Sequence, residues 1–174
     1  MTQAYDIILL FIFTTFLISA IPKLINLKYF ITLVHSYEVL PRFIGTIYGV
    51  LLPFIELGGT LLLLSKTYYI YGSLFLLFVL LSFTIAVTFV IRAKRDIKCG
   101  CYGKFLDSKV DSFTIIKIII LVISNLFIIS NAQGYSDMNL TNLLLGLFFT
   151  ITLLLLQKIW STYRVAVEQL KLSE

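Results

Sequence analysis

Five stretches of this chain are apolar for about twenty residues at a time, which as helix matches the hydrocarbon thickness of a bilayer. They fall at about 5–21, 43–64, 70–91, 112–130 and 140–160. Charged residues make up 13% of the sequence and hydrophobic ones 59%, against about a quarter charged in ordinary soluble domains. The pattern predicts an all-α fold: a polytopic transmembrane helical bundle with a four-helix core plus a fifth C-terminal span. One domain over 1–174 accounts for the whole length, with the lipid bilayer as its surroundings.

The first run is the shortest, and Ser19, Ala20 and Pro22 mark its expected end. Residues 1–6 carry no positive charge, and no small-x-small cleavage site follows. The run is therefore expected to stay as a helix rather than be removed as a signal peptide. The half-polar stretch 23–42 that follows spaces its apolar residues as a short amphipathic helix lying at the interface would. The second run holds Pro53 and, three residues on, Glu56. Proline there frees the carbonyl of Gly49, and a freed carbonyl within a bilayer needs polar neighbours. Gly58 and Gly59 suit close helix approach.

Basic residues sort by side. Lys23, Lys28 and Arg42 lie between runs one and two, and Arg92, Lys94, Arg95, Lys98, Lys104 and Lys109 between runs three and four. Lys158, Arg164 and Lys171 follow at the end, whereas the other side has only Lys66. The positive-inside rule then puts the N-terminus outside, and the C-terminus and the loop at 92–111 in the cytoplasm. The formal charge of +5 is explained by this topology, so nucleic acid is not an expected partner.

Chemistry concentrates in Lys98-Cys99-Gly100-Cys101-Tyr102-Gly103, which holds both cysteines of the chain. Flanking lysines lower a thiol pKa and favour the thiolate, and Gly100 and Gly103 let the backbone bend around the sulfurs. The pair reads as a redox dithiol. Two other readings stay open. The thiols are incidental and kept reduced, or they share a soft ion such as copper(I) with the single histidine, His35. Two cysteines supply only half of a zinc site, and no metal ligand set is assigned.

Glu56 is the other candidate, because a carboxylate inside a span is costly and suggests function. Lys117 is the one lysine expected within a run. Glu56 sits roughly 20 Å from the start of run two and Lys117 roughly 8 Å into run four, so direct contact is not expected. Lys117 is expected to snorkel to the interface. Glu56 would then be protonated, or bonded to Tyr, Ser or Asn. A small-solute pathway centred on Glu56 is a rival, as is a membrane scaffold or maturation factor with structural or metal-binding thiols. Haem-attachment, phosphate-loop, hydrolytic-triad and two-fold transporter patterns are absent from the sequence.

Four segments in order carry a family resemblance: Ser19-Ala20-Ile21-Pro22-Lys23-Leu24, Tyr37-Glu38-Val39-Leu40-Pro41, Leu52-Pro53-Phe54-Ile55-Glu56-Leu57-Gly58, and Cys99-Gly100-Cys101-Tyr102-Gly103. Over residues 5–130 the chain resembles the methylamine-utilisation MauE family and, more loosely, DoxX-like relatives. The resemblance implies a small helical bundle in the bacterial inner membrane, engaged in maturing a disulfide-rich exported enzyme beside a thioredoxin-like partner. DoxX-like relatives add a link to quinones. It points to Cys99 and Cys101 as the thiol pair, and gives Lys23, Pro53 and Glu56 as matched positions without a role. Methylamine use itself is not carried over. The implied disulfide work lies outside the membrane, while the charge count places the thiols inside. Exchange needs direct attack of thiolate on disulfide. A quinone, a partner with its own cysteines or movement of the loop would therefore have to bridge the two sides.

Overall fold

The computed structural model describes residues 2–93, 112–131 and 139–172. These form six α-helices: α1 (Thr2–Ile25), α2 (Leu27–Ser36), α3 (Arg42–Leu63), α4 (Tyr69–Arg92), α5 (Ser112–Asn131) and α6 (Leu140–Leu172). Five of them, all but α2, are long and apolar enough to cross a membrane. The fold is the expected all-α bundle.

Pro22 does not end the first span. It lies inside α1, which continues to Ile25. Pro22 then accepts a bond from the amide of Asn26, and Asn26 accepts one from Phe30, at 3.0 and 3.1 Å. Asn26 itself leaves helical geometry (φ −118°, ψ 51°), so α1 and α2 form one arm with a kink between them. The arm folds back on α3. Ideal Cβ atoms at Gly45 and Gly49 would touch His35 and Ile31 of α2, at 3.1 Å each, and Lys23 meets Glu56 further along. These pairings define an antiparallel hairpin. The expected short amphipathic helix is present as α2, which packs lengthwise on the first half of α3 and buries Phe30 and Leu33. At the turn Glu38 adopts a left-handed conformation, φ 50°, a position where glycine is the usual residue.

The centre of the bundle is α1, which packs against α3, α5 and α6. Its Tyr5, Leu9, Ile12 and Phe16 lie in the main apolar core with Leu63, Leu76, Val87 and Ile128. The α3–α4 crossing is close at Gly72, where a Cβ would come within 2.7 Å of the Gly59 carbonyl oxygen. Gly58, by contrast, faces open space. On its other side α1 meets α6 in parallel. Gly146 lies against the Leu10–Phe11 backbone, and one further turn along, the Thr14 and Thr150 hydroxyls are 2.7 Å apart. Small and hydroxyl side chains at such contacts let backbones approach within a bilayer. Aromatic residues mark both ends of the bundle, Tyr68 with Tyr71 at one and Phe113, Trp160 and Tyr163 at the other, as interfacial belts do.

Candidate functional site

The hairpin of α1–α2 with α3 places two opposite charges side by side. Lys23 Nζ donates to Glu56 Oε2 at 2.6 Å, and each side chain is 1% exposed. Glu56 stands fourteen residues after Arg42 and seven before Leu63, about 21 Å and 10 Å along the helix, so the pair lies within the span rather than at its ends. Isolated charges at this depth cost several kcal/mol each; side by side, each supplies the other's counterion. The ammonium also faces two rings, 5.4 Å from the Phe30 centroid and 5.2 Å from that of Phe83, an arrangement in which the ring faces attract the cation. Pro53, buried in the same helix, lies three residues before Glu56.

A small cavity of about 40 Å³ adjoins the pair, lined by Thr15, Ser19, Lys23, Glu56, Phe83 and Lys117 among others. Lys117 is 2% exposed and donates to Gln157 Oε1 of α6 at 3.0 Å. It points into the bundle, which corrects the expectation that it snorkels to the interface. The partner of Glu56 is likewise corrected: Lys23 contacts it, and it comes from the half-polar stretch expected to follow the first span. One sequence signal pointed there. Thr15, Ser19 and Lys23 recur every four residues, which makes a polar line along one face of α1 if the helix runs through Pro22.

The thiol segment is different. Lys98, Cys99, Gly100, Cys101 and Gly103 lie outside the described residues. The helix that leads into it is described, and near its end Val90 of α4 packs with Leu33 and Tyr37 of the α2 end. The chain thus enters the thiol segment beside the α2–α3 turn. His35, in the last turn of α2, faces the start of α3, where its Nε2 contacts the Arg42 carbonyl at 3.1 Å and the Thr46 hydroxyl at 3.0 Å. Among the described residues no three His, Cys, Asp or Glu side chains gather as a metal site would require.

Fold and site together define a small polytopic helical membrane protein with a charge pair buried in its span. The chain belongs to the MauE family: the family described as methylamine utilisation protein MauE matches residues 1–132, which take in α1 to α5. A curated relative, the methylamine utilization protein MauE of Methylophilus methylotrophus, is 29% identical over 150 residues, covering 84% of this chain and 78% of the relative. No solved structure matches.

Proposed function

We propose that this chain is a redox-associated membrane protein whose Cys99 and Cys101 cycle between dithiol and disulfide. The exchange partner is a thioredoxin-like protein or a quinone, and the exchange serves the maturation of an exported protein. One observation carries the reading: the two cysteines stand a single glycine apart between lysines, in the segment that joins α4 to α5. With the pair as a disulfide, a thiolate of the partner attacks one of its sulfurs, a mixed disulfide forms, and the partner's second thiolate displaces the other cysteine. The pair gains two electrons and two protons while the partner leaves as a disulfide, and an acceptor such as a quinone takes the same two electrons and two protons to restore the disulfide of the pair.

The same reading sets the protein in a bacterial inner membrane, with its N-terminus outside and the thiols in the cytoplasm. Lys23 drops out of the charge tally because it is buried in the bundle, but Lys28, Arg42, Arg92 and Arg164 still stand against Lys66. The Lys23 countercharge argues against a solute pathway built on Glu56, since a cationic solute would have to displace a contact of 2.6 Å.

The test is labelling of whole cells with a membrane-impermeant thiol reagent, with and without reductant and permeabilisation. The expected result is labelling only after permeabilisation, rising with reductant. A pair that stays fully reduced under all conditions, or full maturation activity in a Cys99→Ser/Cys101→Ser variant, would overturn the reading in favour of a scaffold.

A further inference from the structure

We propose that a lipid-soluble quinone binds in the groove between α2, α3 and α4. This rests on the dithiol reading above, and names the acceptor and its place. The groove encloses about 310 Å³, within the usual range for small-molecule sites. Phe30, Tyr37 and Phe83 contribute rings to its wall, and the exposed Ile44 and Ile85 stand on it where a ligand would enter from lipid.

Two hydroxyls interrupt this apolar lining, Tyr48 and Ser82, 2.6 Å apart. Ser82 donates its single hydrogen to the Val79 carbonyl at 2.8 Å, so in this pair Tyr48 is the donor. The phenol oxygen of Tyr48 keeps acceptor capacity, and its hydrogen is held only by another hydroxyl. Such a group suits a ligand oxygen that changes role. It accepts from the O–H of a quinol, and on turning from Ser82 it donates to the C=O of a quinone. An acyl chain offers neither partner, and the aromatic walls match a ring rather than a chain.

Position supports the same ligand. Ala86, on the groove wall, lies six residues before Arg92 at the end of α4, about 9 Å along the helix, where the chain continues toward Cys99. A quinone bound here supplies the electron acceptor: two S–H bonds break, one S–S bond forms, and two electrons and two protons convert quinone to quinol.

The test uses the full-length protein in lipid nanodiscs with decylubiquinone as the probe, read by equilibrium binding and by crosslinking with its azido derivative. The expected crosslinks fall on peptides of α2–α4. Tyr48→Phe, which keeps the ring, is expected to weaken binding about 5- to 20-fold, the worth of one hydrogen bond; Ala86→Trp, which fills the groove, should abolish it. The Cys99→Ser/Cys101→Ser variant should bind the probe as the natural chain does. Crosslinks elsewhere, or affinity unchanged by both groove substitutions, would overturn the site, leaving acyl chains as the occupant. If the site fails while the thiols still exchange with a protein disulfide, only this inference falls. If the probe binds as expected and the thiols prove inert, the dithiol reading falls and the site stands.

Discussion

The contact between Lys23 and Glu56 is where a single atom change has the clearest expected effect. A buried pair adds little net stability over a well-packed apolar equivalent, but removing one member strands the other at a cost of about 3–5 kcal/mol. Glu56→Gln and Lys23→Met are each expected to destabilise the folded protein by that order, and the Lys23→Met/Glu56→Gln double variant to recover most of the loss. Unfolding in mixed micelles measures this, and additive losses in the double variant would show that the two groups do not act as a pair. Asn125 is a second case. It is fully buried and neither of its polar atoms has a partner among the described residues, so Asn125→Leu is expected to stabilise by about 1–3 kcal/mol, read in the same unfolding experiment. Glu56 was legible in the sequence because an acid within an apolar run stands out. Lys23 was not, because Pro22 just before it reads as a stop. Proline costs a helix one amide bond and one clash, and here the bond from Asn26 back to Pro22 carries the chain past it.

At the level of helices, the sequence showed where the spans run but not which faces meet. Gly58 and Gly59 look equivalent in the sequence, yet only Gly59 faces α4, against Leu76, while the decisive small residue across the contact is Gly72. A Cβ on Gly72 would come within 2.8 Å of the Leu63 amide as well as meeting the Gly59 carbonyl, and backbone cannot step aside as a side-chain tip can. Gly72→Ala is expected to cost about 1–3 kcal/mol. Gly58→Ala, free of any contact within 4 Å, should gain about 0.5–1 kcal/mol from helix propensity. Thermal unfolding of the two variants in one detergent gives the comparison, and equal shifts would refute the α3–α4 crossing. The same reasoning explains α2. Its apolar stripe is real, but the stripe alone cannot say whether lipid headgroups or Gly45 and Gly49 of α3 receive it.

For the molecule as a whole, the apolar runs made five spans legible. The central role of α1 was hidden, since the shortest apolar run proved the most enclosed of the five spans. Parallel packing of α1 and α6 requires an odd number of crossings between them, which α3, α4 and α5 supply. In a Cys99→Ser/Cys101→Ser background, single cysteines at Ser36 and Thr162 are therefore expected to react from one side of the membrane and one at Thr67 from the other. Ser36 and Thr162 labelled from opposite sides would refute the arrangement. The α1–α6 contact also bears on how the protein is made. Thr14 and Thr150 lie 136 residues apart in the chain, so α2 to α5 have all been synthesised before α1 gains this neighbour. Until then each hydroxyl has a carbonyl of its own helix to bond, Thr14 that of Leu10 and Thr150 that of Gly146, and neither enters lipid with a stray donor. Helix α6 thus closes the face of α1 long after α1 has been synthesised, and a chain cut short after α5 would reach the membrane with its central helix still uncovered, a state that quality-control proteases can recognise.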